Sequence, residues 1–259
     1  MRAPAAPAAP GAHSAPGAHS APALLPLAML VAWIGACAPG TSRASADATA
    51  STTLSASGGT ASGWVDLNSA DAWRGYRRND LPPGWRFDSV TRELTRVRGG
   101  GDIITRAQFM DFELELEWKV VPRGNSGIFF RANEGTGRIY ENAAEMQVLD
   151  NVGNHEGPNP ITAAGSNYAL HGAVRDVALP GGEWNRARIV ARGPRVEHWL
   201  NGVKLFEYEL WTDEWKAKVA ASKFAQWPTY ALARRGHIGL QDHGDVVSFR
   251  NIRVREITP

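Results

Sequence analysis

The chain has 259 residues, and its 28 Lys and Arg residues nearly balance 26 Asp and Glu residues, giving a formal charge of +2. A charge this close to zero excludes the strong positive field on which a dedicated DNA- or RNA-binding protein depends. Hydrophobic residues make up 43% and charged residues 21%, a globular balance, and the single cysteine excludes a disulfide framework, a thiolate zinc cluster and a CxxC redox pair.

The N-terminal segment is predicted to direct export. Residues 1–22 form a low-complexity stretch with a tandem APGAHS repeat, in which His13 and His19 either bind a metal or simply reflect repeat drift. The apolar run at 24–36 is too short for a membrane-spanning helix, which needs about 20 residues. Its length is typical of the hydrophobic region of a signal peptide, so we assign residues 1–36 to an n-region and signal.

The only cysteine, Cys37, directly follows Ile34-Gly35-Ala36. This pattern resembles the lipobox of bacterial lipoproteins, in which the cysteine is lipidated and becomes the new N-terminus; an ordinary cleaved signal is the alternative. Residues 37–61 are rich in Ser, Thr and Ala and predict a flexible tether. We expect an exported protein in the periplasm or on the outer membrane, touching the membrane only through a lipid on Cys37, with its folded domain at 62–259.

From Trp64 onward, apolar residues recur at every second position. In the clearest case, residues 112–120, the apolar positions alternate with Glu and Lys, so one face is packed and the other solvated, as in an antiparallel sheet. The same pattern predicts further strands at 127–132, 145–149, 184–191, 195–200, 203–209, 237–241 and 246–256.

Three local signals refine this β pattern. Asn201-Gly202 predicts a hairpin with a type I′ turn, and a change of phase at Arg250-Asn251 predicts a β-bulge. Thr212 is placed to cap a short helix that starts at Asp213. Many short antiparallel strands with one small helix predict an all-β fold, a two-sheet jelly-roll sandwich.

The predicted strand at 145–149 carries the main catalytic pattern. Regular alternation places Glu145 and Gln147 on one face and Asp150 on the other, whereas one bulge would bring all three together. The spacing E-x-Q-x-x-D then resembles the E-x-D-x-x-E strand of sandwich-fold retaining glycosidases. Paired carboxylates can divide acid and base roles, because each raises the pKa of the other. Alternatively, Asp150 begins a loop and caps its own backbone.

Other polar residues have two interpretations each. Gly124-Asn125-Ser126-Gly127 predicts a hairpin turn, and Asn125 could also contact a ligand. Arg131 closes the next strand, where a buried guanidinium needs a carboxylate partner such as Glu145. Lys223 is either an oxyanion partner or a solvated loop lysine.

The long loop at 150–182 contains His155, Tyr168 and His171, and loops that border a site often supply its polar groups. The sequence QDHGD at 241–245 could bind calcium or another divalent cation, or form a tight turn stabilised by its own Asp side chains. We therefore assign no metal or cofactor from the sequence; the alternative is a divalent cation such as calcium.

Taken together, these segments are similar to the bacterial 3-keto-disaccharide hydrolase family. One stretch departs from it: the sequence WVDLNSADAW at 64–73 differs from the family's usual sequence, LFNGKDLSGW. The matching segments occur in the family's order and are distributed along most of 64–258: DFELELEWK (111–119), GNSGIFFR (124–131), EMQVLD (145–150), GEWN (182–185), VEHWLNGVKL (196–205), SKF (222–224) and GHIGLQDHGDVVSFRNIRVREI (236–257).

The resemblance implies a concanavalin A-like sandwich that acts on sugars oxidised at C3. A C3 ketone acidifies the C2 hydrogen, so a base can remove it and the enolate can expel the aglycone from C1, assisted by a general acid. Water adding to the enone completes net hydrolysis, and stopping earlier makes the enzyme a lyase. The expected acid and base, in either order, are Glu145 and Asp150. The expected substrate contacts are Asn125, Gln147, Tyr168 and His171, with Arg131 or Lys223 at O3.

Such an enzyme performs no redox step, so the resemblance also implies dependence on a separate sugar 3-dehydrogenase. The main alternative is a lectin-like lipoprotein that binds sugars without cleaving them, since the fold does not determine the function.

Overall fold

The computed structural model describes residues 63–135 and 137–258. The predicted signal peptide, the tether and Cys37 lie outside these residues. Within this part of the chain, no helix has the length and the apolar character that crossing a bilayer requires.

The described residues form strands that pair only in antiparallel fashion. Their bounds are β1 (Val65–Asp66), β2 (Trp73–Gly75), β3 (Trp85–Asp88), β4 (Glu93–Arg96), β5 (Ile103–Thr105), β6 (Phe112–Val120), β7 (Asn125–Ala132), β8 (Ala144–Leu149), β9 (Asn185–Arg192), β10 (Arg195–Leu200), β11 (Val203–Glu209), β12 (His237–Leu240) and β13 (Val247–Glu256). The larger sheet has the order β11-β10-β9-β6-β13-β4-β3, with β1 also paired to β13; the smaller has the order β2-β5-β12-β7-β8.

The fold is the predicted two-sheet sandwich, and its local signals are confirmed. Asn201 and Gly202 both have positive φ, 50° and 81°, as a type I′ turn requires. The register between β13 and β6 shifts after Arg250, which is the predicted bulge. The helix α1 (Asp213–Ala220) begins where Thr212 Oγ1 accepts the N–H of Trp215 at 3.1 Å. Short 3₁₀ helices cover Ala70–Ala72, Ile139–Glu141 and Lys223–Gln226.

The alternation in β6 is explained by its two faces. Its apolar residues are at most 1% exposed and share one buried cluster with residues of the smaller sheet such as Ile128 and Phe130. Each such side chain contributes roughly 1.5–3 kcal/mol relative to an exposed one. On the other face, each Glu of β6 pairs with the arginine opposite it on β13: Glu113–Arg255, Glu115–Arg253 and Glu117–Arg250.

The register of the smaller sheet determines which residues point away from this core. Directly opposed residues share a face, and β7 pairs with β8 without a shift, Gly127 lying opposite Gln147. Leu240 of β12 lies opposite both Ile128 and Ile103, and these face the core. At the neighbouring position of each strand, Asp102, Gln241, Gly127 and Gln147 lie side by side on the face that points away from the core. We call these four positions the cleft row.

Candidate active site

A cleft of about 500 Å³ lies over the cleft row, on the face of the smaller sheet that points away from the shared core. A volume of this size is within the range of small-molecule sites. The cleft is lined by Asp102, Asn125, Arg138, Tyr140, Glu145, Gln147, Tyr168, Lys223, Phe224, Trp227, Gln241, Asp242 and His243. It therefore brings together five of the residues predicted from the sequence: Glu145, Gln147, Asn125, Tyr168 and Lys223.

The carboxyl group of Glu145 lies over Gly127. A Cβ at Gly127 would meet Glu145 Cδ at 2.7 Å and Cγ at 2.9 Å, and Oε1 closer still, so only glycine leaves room for the acid. Glu145 is 5% exposed. Burial raises its pKa to about 8. The positive charge of Lys223 lowers the pKa in part, and the negative charges of Asp102 and Glu156 raise it further. Glu145 is therefore mostly protonated at neutral pH.

The second carboxyl group in the cleft is Asp102, which is not among the residues expected from the sequence. It lies just before β5, and burial raises its pKa to about 6, although a backbone N–H bond from Asp242 opposes the rise. Asp102 Oδ1 accepts that N–H at 2.9 Å. No other hydrogen bond to this carboxyl group is present among the described residues.

Lys223 places a cation at the cleft. Its Nζ lies 4.0 Å from the centroid of the Tyr168 ring, and Tyr168 in turn donates its hydroxyl to Glu156 Oε1 at 3.0 Å. Burial lowers the pKa of Lys223, while the charges of Glu145 and Glu156 favour the protonated form. The turn that carries Lys223 is held by Ser222, whose Oγ accepts the N–H of Phe224 at 3.1 Å.

Amides and aromatic rings complete the cleft. Gln147 Nε2 lies 3.4 Å from Asn125 Oδ1, so both amides retain hydrogen-bonding capacity for a ligand. Gln241 Oε1 is buried and has no hydrogen-bond partner in the part of the chain that the structure describes. Tyr140 and Trp227 meet edge to face, with ring centroids 5.4 Å apart. These groups suit a ligand that combines hydroxyl groups with apolar C–H faces.

Asp150 does not join Glu145, so the prediction of a bulge between Gln147 and Asp150 is wrong. Because β7 and β8 pair regularly, alternation turns Asp150 to the opposite side of the strand from Glu145. The Asp150 carboxylate instead accepts the backbone N–H groups of Arg123, at 2.7 Å, and Val152, at 3.2 Å. This is the loop-capping alternative.

Arg131 also lies outside the cleft, and its carboxylate partner is not Glu145. Its guanidinium donates to Met110 O and Gly193 O, both at 2.8 Å, and to Asp111 Oδ1 at 3.1 Å. Arg131 has φ of 50°, a left-handed conformation that breaks the regular alternation at the end of β7. Lys223 is therefore the candidate of the two for contact with O3.

The two histidines of the long loop are not in the cleft either. His171 stacks on Tyr208, with ring centroids 4.6 Å apart, and its Nδ1 lies 3.0 Å from Asn167 Nδ2. Burial lowers its pKa to about 4, so it is a neutral, packed ring. His155 is exposed and does not line the cleft.

The segment 241–245 connects β4 to the glycine run at 99–101 through hydrogen bonds, and we call this segment the clamp. Asp242 accepts Arg96 Nε at 2.6 Å and the backbone N–H groups of Gly100 and Gly101 at 2.8 and 2.9 Å. Its carboxylate is thus engaged by protein donors. Within residues 63–135 and 137–258, no group of three or more His, Cys, Asp or Glu side chains is arranged to hold a metal ion.

We expect Asp150→Asn to lower the free energy of unfolding by about 2 kcal/mol at pH 7, because an amide satisfies the backbone N–H donors less well than a carboxylate. Burial alone would raise the pKa of Asp150, but the backbone N–H bonds outweigh it and the net pKa is lowered. The stabilisation is therefore complete above the unfolded-state pKa near 4 and is lost as the pH falls through the lower folded-state pKa. Urea unfolding at pH 7 and pH 3 measures this; an equal difference at both would contradict it.

Comparisons with known proteins identify relatives. The sequence model of the 3-keto-α-glucoside-1,2-lyase-like domain matches residues 58–255. The 3-keto-disaccharide hydrolase of Bacteroides thetaiotaomicron is 38% identical over 220 residues, 73% of this chain and 76% of that protein. A solved structure of a candidate glycosyl hydrolase from Parabacteroides distasonis has a TM-score of 0.69 at 28% identity, covering 76% of this chain and 95% of the other. A second structure from that organism has a TM-score of 0.55 at 28% identity, with coverages of 71% and 99%.

Proposed function

The chain belongs to the 3-keto-α-glucoside-1,2-lyase-like family, and we propose that it cleaves the glycosidic bond of sugars whose C3 hydroxyl has been oxidised to a ketone. It is a glycoside hydrolase by relationship, and the reaction course is our proposal. The observation that supports the proposal best is Glu145, a buried carboxyl group that lies in a sugar-sized cleft and has no hydrogen-bond partner among the described residues.

The ketone makes an elimination possible that an ordinary glycoside does not undergo. It acidifies the C2 hydrogen, and the glycosidic oxygen on C1 stands β to it. Removal of the C2 proton gives an enolate, which re-forms the ketone as the C1–O bond breaks. Protonation of the departing oxygen avoids release of a high-energy alkoxide. The products are an enone and the free aglycone.

Glu145 supplies the proton to the departing oxygen. With a pKa of about 8, it holds its proton at neutral pH yet can release it readily to an alkoxide-like oxygen. Its position over Gly127 fixes the carboxyl group at the centre of the cleft row. A group that is protonated in the resting enzyme cannot also remove the C2 proton, so a separate base is required.

Lys223 stabilises the enolate. Negative charge develops on O3 during the reaction, and a cation placed beforehand in a partly buried cleft lowers the barrier more than the same cation in water. Gln147 and Asn125 hydrogen-bond to the sugar hydroxyls, and Tyr140 and Trp227 pack against the sugar ring. Water added to C1 of the enone gives net hydrolysis.

The test is incubation of purified protein with a 3-keto-disaccharide and with its unoxidised parent. We expect release of free sugar from the keto form only, with transient ultraviolet absorption if the enone leaves before hydration. Equal inertness towards both compounds would overturn the proposal. The same assay with a chelator determines whether a divalent cation contributes.

A separate sugar 3-dehydrogenase has to supply the ketone, because the proposed steps involve no redox change. We also propose that a lipid on Cys37 holds the protein at the outer membrane or in the periplasm, which lipid labelling of the wild type and of Cys37→Ser would test.

We expect Gly127→Ala to lower kcat by about 100-fold while the protein stays folded. The new methyl group would occupy the space of the Glu145 carboxyl group, and the atoms it meets belong to one flexible side chain that can swing aside. Displacing a catalytic group by about 1 Å can cost roughly this factor. Steady-state kinetics together with circular dichroism test this. Wild-type turnover in the folded variant would show that the position of Glu145 is not critical.

A further inference from the structure

The elimination requires a base for the C2 proton, and the cleft offers few candidates. Glu145 holds its own proton, and Asp150, the base or acid expected from the sequence, points away from the cleft. Lys223 is needed as a cation at O3. Among the described residues that line the cleft, the remaining carboxyl groups are Asp102 and Asp242.

Among the described residues, both carboxylate oxygens of Asp242 accept hydrogen bonds, whereas only one oxygen of Asp102 does. Both oxygens of Asp242 accept hydrogen bonds from protein donors, Arg96 Nε on one and the N–H groups of Gly100 and Gly101 on the other. Among the described residues, Asp102 receives one hydrogen bond, from the N–H of Asp242 to Oδ1, which leaves Oδ2 available to accept a proton. The two bonding patterns distinguish a structural carboxylate from one that is available to substrate.

The sheet register sets the distance between Asp102 and Glu145. Asp102 is adjacent to Gln241, and Gln241 is adjacent to Gly127, whose backbone oxygen accepts the Gln241 N–H at 3.0 Å. Neighbouring strands are about 4.8 Å apart, so the Cα atoms of Asp102 and Gly127 are separated by about 10 Å. Because the Glu145 carboxyl group lies over Gly127 and both acids line the same cleft, they lie about two strand spacings apart on one face of the sheet.

The clamp at 241–245 holds Asp102 in place. The glycines at 100 and 101 donate to the Asp242 carboxylate, and Asp242 donates its own N–H back to Asp102 Oδ1. Arg96 anchors the far side of Asp242 at 2.6 Å. A base held by reciprocal bonds of this kind keeps its orientation without using its second oxygen.

We propose that Asp102 is the general base that removes the C2 proton, opposite Glu145 as general acid. This assignment rests on the proposed function. Asp102 Oδ2 takes the proton, and the C2–H electron pair forms the enolate, whose O3 charge faces Lys223. The enolate re-forms the C3 ketone and a C1–C2 double bond as the C1–O bond breaks, and Glu145 protonates the departing oxygen. In hydration the roles reverse: Glu145 takes a proton from the water that attacks C1, and Asp102 returns its proton to C2.

The charged groups around the pair support this division of roles. Asp102 faces Asp242 and Arg138, and its pKa of about 6 leaves it mostly ionised at neutral pH. Glu145 faces Lys223 and Glu156 and stays protonated up to about pH 8. The rate should therefore rise through pH 6, as the base ionises, and fall through pH 8, as the acid loses its proton.

The test compares Asp102→Asn with Glu145→Gln on two substrates, a 3-keto-disaccharide and nitrophenyl 3-keto-glucoside. Nitrophenolate leaves without protonation, so Glu145→Gln should lose far less activity on the nitrophenyl substrate than on the disaccharide. Asp102→Asn should lose about 10²- to 10⁴-fold on both, since C2 deprotonation precedes either departure. Asn retains the oxygen that accepts the Asp242 N–H, and Asp102→Glu should recover part of the lost activity. Asp71→Asn, the same substitution at an exposed position outside the cleft, is the matched control and should keep wild-type kcat.

The outcomes separate the two proposals. Turnover of Asp102→Asn within threefold of wild type on both substrates would overturn the assignment of the base and leave the proposed function standing. A wild-type enzyme that cleaves neither keto substrate would overturn the function itself. If Asp102→Asn fails to fold, a wild-type rate profile without a limb near pH 6, or an Asp102→Glu variant with full activity, would count against Asp102.

Discussion

Replacement of Glu145 by Gln is expected to lower kcat on a 3-keto-disaccharide by about 1000-fold while substrate binding persists. Gln has the same shape and can still hydrogen-bond to the sugar, but it cannot transfer a proton to the departing oxygen. Because the carboxyl group is already mostly protonated at neutral pH, the substitution removes little charge. Stopped-flow or single-turnover kinetics give the rate of the chemical step, and calorimetric titration of the inactive variant gives the Kd.

The matched control for this variant is Glu183→Gln, the same substitution at an exposed position outside the cleft. It should leave both kcat and Kd unchanged. If Glu145→Gln altered only affinity, and the wild type showed no turnover, the protein would be a sugar-binding module that uses the same cleft without chemistry.

Replacement of Lys223 by Met is expected to lower kcat by about 10²- to 10³-fold, the cost of removing one preorganised donor from a site where an oxyanion develops. Met retains the apolar length of the side chain that packs on Tyr168. KM should change much less than kcat, because the ketone of the bound substrate carries no full charge. Lys223→Arg should restore part of the rate by returning the cation.

The pH profile of Lys223→Met gives an independent measurement. The charge of Lys223 holds the pKa of Glu145 below the value that burial alone would give. Without that cation, the carboxyl group should keep its proton to higher pH, so the alkaline limb of the rate profile should move upward from about pH 8. A rise in KM with unchanged kcat and an unmoved limb would show that Lys223 only helps to bind the substrate.

Much of the fold follows from short-range patterns that are visible in the sequence. The Asn201-Gly202 turn, the bulge after Arg250 and the Thr212 cap each depend on a few neighbouring residues, and each lies where the sequence predicts it. No individual strand was predicted before residue 112, because β1 to β5 are two to four residues long, too short for a period of two to define their bounds.

In the candidate site, too, local sequence patterns predict some features, and only the pairing of strands decides the others. Glu145 and Gln147 lie in one strand, so their shared face follows from alternation alone. Asp150 lies beyond the end of that strand, and the sequence left both a bulge and a loop cap open. Only the regular pairing of β7 with β8 decided between them, since a bulge is a property of two strands.

Asp102 shows why the second acid could not be found from the sequence. It lies 43 positions before Glu145, next to a glycine run that carries no catalytic pattern. Its place in the cleft arises because β5 pairs with β12 and β12 pairs with β7.

The sequence by itself determined the longer strands of the sandwich from residue 112 onward, the membership of the family that its motifs resemble, and the single strand that bears Glu145. The tertiary structure alone decided which second carboxyl group faces it, and that Arg131 and His171 stay outside. The physical reason is that side-chain direction within a strand is a local property, whereas proximity between strands depends on sheet order and register. Sheet order and register are set by the packing of the whole core.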